Sequence, residues 1–71
     1  MQIGQQVIYV PGPYDQTQMD LLGSRLAAVV THVYESGLVN VVVFDSRAST
    51  HIRTSVAVGV ASTPAEGFIE A

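Results

Sequence analysis

The sequence predicts an all-β fold, a small antiparallel barrel or two-layer sheet of four to five strands with a long first loop. Three observations carry that prediction. Val, Ile, Thr and Tyr crowd into four short runs, polar or Gly/Pro-containing breaks separate them, and AAVVTHVYESGLVNVVVF, Ala27 to Phe44, reads as two β-prone runs around one tight turn.

The first strand is expected near residues 5–10, where Val7, Ile8, Tyr9 and Val10 run into Pro11-Gly12-Pro13. From Pro11 to Ser24 the text is polar, anchored only by Met19, Leu21 and Leu22, with room for a helical turn over Thr17 to Leu22 capped by Thr17 and closed by Gly23. Arg25–Tyr34 and Leu38–Phe44 are the second and third strands, joined by Glu35-Ser36-Gly37, where Gly37 can take the positive φ of a hairpin. After the polar loop 45–50, Ile52, Thr54, Val56, Val58 and Val60 alternate with Arg53, Ser55, Ala57 and Gly59, which predicts a fourth strand with one apolar side. The predicted organisation is one barrel domain over residues 1–61 and a tail or docking arm over 62–71, whose adhesive residues are Phe68 and Ile69.

A chain of 71 residues is close to the size at which a single core is barely adequate. With no cysteine, disulfides and thiolate–metal sites are excluded. The chain is 48% hydrophobic and only 13% charged, so part of its apolar surface is expected against another molecule. The net charge is −3, the basic residues are Arg25, Arg47 and Arg53 alone, and this scatter argues against nucleic acid as partner. No apolar run approaches the roughly 20 residues that span a bilayer, and MQIGQQVIYV has no basic segment before an apolar one, so the expectation is a soluble, non-exported protein.

Three stretches carry a resemblance: Gly4-Gln5-Gln6-Val7, Ala28-Val29-Val30-Thr31-His32-Val33, and Gly37 to Asp45, GLVNVVVFD. Together they resemble the small Src-homology-3-like barrels, Tudor-type ones included, over residues 4–60. The run from Ser24 to Val33, then Val39-Asn40-Val41-Val42-Val43-Phe44, then Arg53-Thr54-Ser55-Val56, resembles short proteins encoded by tailed bacteriophages and prophages. The chain departs from those in having no tryptophan and a short loop over Asp45–Thr50. What this resemblance implies is a small virus-encoded protein. Combined with the need for a partner and the lack of catalytic chemistry argued below, it gives the expectation of a virion accessory protein, with the major capsid protein or another virion protein as partner, located in the virion and in the host cytoplasm during assembly.

Other chemistry is weighed against packing. His32, His51, Glu35 and Asp45 form no specific metal-ligand spacing, so no metal or cofactor is expected. Ser46 or Ser49 with His51 and Asp45 would crowd a catalytic set into one loop, whereas a triad needs separate rigid supports, so no enzyme activity is expected. Tyr9, Tyr14, Tyr34, Phe44 and Asp45 could make a cage for methylated lysine, as a Tudor likeness would imply, but Tyr34 against Phe44 as a cross-strand pair is the simpler reading. The six glycines are isolated and build no phosphate loop.

Both hairpin strands are apolar on both faces. One face can line a barrel, leaving Val29, Val33, Val39, Val41 and Val43, or the mirror set, uncovered. Burying five such side chains is worth about 8–10 kcal/mol at about 1.5–2 each, comparable to the whole stability of a small domain. A protein interface is therefore expected, by self-association or on a larger assembly, formed by those valines with Tyr14, Met19, Leu21, Leu22, Phe68 and Ile69. Non-enzymatic capsid decoration fits this need for a partner, and a small adaptor or inhibitor of one host or viral protein is the alternative.

Overall fold

The computed structural model describes residues 1–22 and 25–70. Five strands, β1 (Gln6–Val10), β2 (Leu26–Val33), β3 (Val39–Phe44), β4 (Thr50–Val58) and β5 (Phe68–Ile69), close into one barrel in chain order. The all-β prediction and the closed barrel agree, and the architecture is compatible with a small Src-homology-3-like barrel. One pairing departs from the antiparallel expectation: β5 runs parallel to β4 while running antiparallel to β1. Among the described residues no helix is long and apolar enough to cross a membrane.

The central hairpin forms as its turn chemistry requires. Gly37 takes φ +92°, its N–H donates to the Tyr34 carbonyl at 3.0 Å, and Tyr34 N–H donates to Leu38 at 2.9 Å. Ala28 faces Val43 and Val30 faces Val41 across the pair, so Leu26, Ala28 and Val30 share the inward face with Val39, Val41 and Val43. An extra residue on β2 between Val30 and His32 then changes the parity, which sends His32 outward opposite Asn40 and returns Val33 to the core opposite Val39.

This geometry corrects the interface expectation for several residues. Val39, Val41 and Val43 are fully buried within their own barrel, as is Ile69, and Met19 plugs the same core. Leu21 and Val33 pack against it. A chain of this size covers these side chains itself because the sheet closes, so a partner is not needed for them.

Two elements are redrawn. The helical turn lies at Pro13–Thr17 as a 3-10 helix rather than at Thr17–Leu22: Pro13 fits its start, Asp15 caps it by accepting the Gly12 N–H at 3.0 Å, and Thr17 Oγ1 donates to the Tyr14 carbonyl at 3.0 Å. The closing role expected of Gly23 lies outside the described residues. The division into a barrel over 1–61 and an arm over 62–71 also changes, because Phe68–Ile69 is the strand that closes the sheet between β1 and β4.

The fourth strand carries the largest correction. An extra residue interrupts its pairing between Val39 opposite Val56 and Val41 opposite Arg53, with Ser55 at φ +54° and its N–H held by Asn40 Oδ1 at 2.9 Å. The apolar side expected over Ile52–Val60 is therefore split. Val56 is buried, whereas Ile52 and Val60 stay 73% and 72% exposed, and the first half of the strand turns His51 and Arg53 toward the barrel side.

Candidate functional site

Turning two polar residues toward a barrel requires partners, and the loops supply them. The β1–β2 loop brings Asp15, 2% exposed, over Arg53. Arg53 Nε donates to Asp15 Oδ1 at 2.9 Å, and Nη2 lies 2.8 Å from the same oxygen but off line, buried without an aligned acceptor. Asp15 Oδ2 accepts the Tyr9 hydroxyl at 2.7 Å together with the Gly12 N–H. Burial first, and the bond and charge of Asp15 second, hold the Tyr9 phenol well above its ordinary pKa, so it remains a neutral donor. The arrangement is a closed network that pins the first loop to β4.

A second pair lies one step along the same strand. His51 Nε2 and Asp45 Oδ2 are 2.8 Å apart, and Asp45 also accepts the backbone N–H groups of Asp20, Arg47 and Ser49. The His51 bond chiefly, then those N–H groups, depress the Asp45 carboxyl from 3.8 to about 2. A depressed carboxylate contributes stability that is complete above its unfolded pKa near 4 and is lost as pH falls through 4 toward 2. We expect the gap in urea midpoint between the native chain and Asp45→Asn to narrow as the pH falls from about 4 toward 2. A gap of undiminished size at pH 2 would assign the effect to shape instead of charge.

Other sequence-based candidates are separated by the fold. Ser46 Oγ donates to the Asp20 carbonyl and accepts the Leu22 N–H, so it is engaged in tying two loops together and is not aimed at His51. Among the described residues no group of three or more His, Cys, Asp or Glu could hold a metal ion. The aromatic cage is not assembled: Tyr9 is buried on Asp15, Tyr34 is at the hairpin turn edge-on to His32 at 4.6 Å, and Phe44 is at the opposite end of the hairpin opposite Thr50. Tyr34 and Phe44 are therefore not the cross-strand pair that the sequence suggested.

What the fold does assemble is a groove of about 500 Å³ beside β4. Its floor is Tyr9, Asp15, Arg53 and Val56; one wall is Tyr14 from the 3-10 helix, and another is Thr63, Ala65, Glu66 and Gly67 from the segment before β5. Those walls approach because Gly12 and Gly67 lack side chains: a Cβ at Gly12 would lie 2.5 Å from the Glu66 carbonyl carbon, and one at Gly67 would lie 2.5 Å from the Val10 oxygen. Tyr14 is 54% exposed, with its ring 5.8 Å from the Arg53 guanidinium.

Along the groove β4 has a free backbone edge. The N–H and carbonyl of Val30 both bond toward β1, to Gln5 at 3.0 Å and from Gly4 at 2.7 Å. Backbone groups alternate sides along a strand, so the registers place the polar groups of Val29 toward β3, those of Val41 and Val43 toward β4, and those of His51 and Arg53 back toward β3. Ile52 and Thr54 thus turn their N–H and C=O groups to the other edge, where β5 reaches only Ala57 and Val58. The Ile52 carbonyl takes Arg53 Nη1 at 2.8 Å.

On the outside of the sheet the registers line up Val29, Val42 and Ile52 across β2, β3 and β4. Val29 and Val42 are half-buried, and Ile52 stands at the corner where this row meets the groove. Of the sequence-predicted interface residues, Tyr14 and Leu22 are exposed, Leu22 at 82%, while Leu21, Val29, Val33 and Phe68 are half-buried and retain some surface. Ile52 was missed because its alternation with Arg53 put it on the expected apolar side of the fourth strand with Val56; the signal against that reading is the surplus of carboxylates in the two loops, which can take an inward cation. Compared with protein-family models, with curated proteins and with solved structures, the chain matches none.

Proposed function

We propose that this chain is a non-enzymatic virion accessory protein of a tailed bacteriophage, a capsid decoration or cement protein that attaches to the major capsid protein or another virion protein. One observation carries the binding part of the reading: a barrel that has closed on its own core still presents the apolar row Val29–Val42–Ile52 on its outer face. The resemblance of the Ser24–Val33 and Val39–Phe44 runs to short phage proteins supports the setting. The buried acidic residue of the groove, Asp15, is held by Tyr9, Gly12 and Arg53, which favours a structural role for it over proton transfer.

Covering Ile52 is worth about 1.5–3 kcal/mol, tenfold or more in affinity per copy, and many copies on a lattice multiply that gain through avidity. The direct test is quantitative mass spectrometry of gradient-purified particles. Many copies in fixed ratio to the major capsid protein support decoration, while absence from particles makes the adaptor or inhibitor reading primary. Ile52→Lys is expected to change folding stability by no more than about 0.5 kcal/mol, as at other exposed sites, and to strip the chain from particles. Unchanged occupancy would remove the apolar row from the attachment.

A further inference from the structure

We propose that the free edge of β4 at Ile52–Thr54 takes an extended, basic peptide segment of a partner protein as an added β-strand lying in the groove. This deepens the protein-binding reading above and rests on it. The first support is the edge itself: the Thr54 N–H and C=O and the Ile52 N–H face away from β3 at exposed residues, where no strand of the barrel covers them. Unpaired strand edges of this kind are templates for strand addition, which draws affinity from main-chain bonds and specificity from alternate side chains.

Charge selects the occupant. Among the described residues Arg25, Arg47 and Arg53 each pair with a carboxylate, Glu70, Asp20 and Asp15 respectively. In the groove Asp15 and Arg53 cancel, leaving Glu66 on the wall as an exposed carboxylate with no ion-pair partner among the described residues. Tyr14, 54% exposed and with the Arg53 guanidinium 5.8 Å from its ring, stands on the other side. A lysine or arginine on the added strand would meet both the carboxylate and the ring, while the alternate, apolar side chain would rest on Ile52. An acidic segment would meet Glu66 with like charge, in a chain whose net charge is already −3.

The test is titration of the isotope-labelled full chain with an acetylated, amidated hexapeptide of alternating lysine and valine, read by amide chemical shifts. The expected result is saturable shifts centred on Ile52–Ser55, Tyr14 and Glu66. Glu66→Gln should weaken binding about threefold, and less in high salt, as for a partly exposed ion pair. A peptide of the same charge with alternate backbone nitrogens methylated should bind at least about fivefold more weakly, as loss of main-chain bonds requires, and it leaves the protein untouched. The proposal is overturned by no shifts at millimolar peptide, by equal binding of the glutamate–valine counterpart, by shifts on the Val29–Val42 row alone, or by self-association of the chain through the same edge. Copy number in particles is independent of all these outcomes, so failure here with the chain present on particles would retire the peptide site and leave the decoration reading standing.

Discussion

Asp15→Ala should remove a large share of the folding stability of the chain. The carboxylate is 2% exposed and holds three elements at once: Tyr9 of β1 at 2.7 Å, the Gly12 N–H at the start of the 3-10 helix, and Arg53 of β4 at 2.9 Å. Its loss strands a guanidinium whose side chain is only 19% exposed. Breaking such a pair from one side costs about 3–5 kcal/mol, against a total of roughly 4–10 kcal/mol for a domain of this length. Urea denaturation followed by circular dichroism checks the expectation. Its cause is checked by a second pair of changes, since deleting both charges together removes the stranded cation. Asp15→Ala combined with Arg53→Met should recover part of the lost midpoint, the remainder being the lost cap and the lost Tyr9 bond. If Arg53→Met restores nothing, the loss belongs to the helix cap and the Tyr9 bond, and the ion pair is incidental.

That network also marks where the sequence was legible and where it was not. The hairpin was readable because its signals are local: β-branched runs on both sides and a glycine able to take φ +92°. The partner of Arg53 is 38 residues away, and nothing near either residue announces the other. The parity of β4 was misread for a related reason. A period of two is informative only while the strand is regular, and the interruption at Ser55 is secured by Asn40 from the neighbouring strand. The His51–Asp45 pair lies within one loop and one strand start, so its members were named together from the sequence, although as metal or catalytic candidates and not as the loop clamp they form. The candidate groove was invisible for the same physical reason as the network: it is bounded by Tyr14, Ile52 and Glu66, from three separated segments, and two of its walls meet through glycines whose missing Cβ atoms matter only once the chain is folded.

The closing strand gives the second large expectation. A strand of two residues has no period to read, so Phe68 and Ile69 looked like the adhesive end of an arm. In the fold Ile69 is fully buried, faces Tyr9 on β1 and Val58 on β4, and accepts the Gly59 N–H at 2.7 Å, while Glu70 N–H donates to Ile8 at 2.9 Å. Ile69→Ala is therefore expected to lower stability by about 2–5 kcal/mol, as for other fully buried isoleucines. Phe68→Ala, at a half-buried position opposite Val10 and Ala57, should cost less. Ending the chain at Glu66 should be worse than either, because it uncovers the facing edges of β1 and β4 and presents two unpaired strands to other copies. Size-exclusion chromatography and urea midpoints of the three variants separate the alternatives. A docking arm could be removed with the native midpoint and a monomeric profile retained, whereas a closing strand predicts a lost cooperative transition and aggregation. Retention of the native midpoint by the chain ending at Glu66 would mean that the barrel closes without β5.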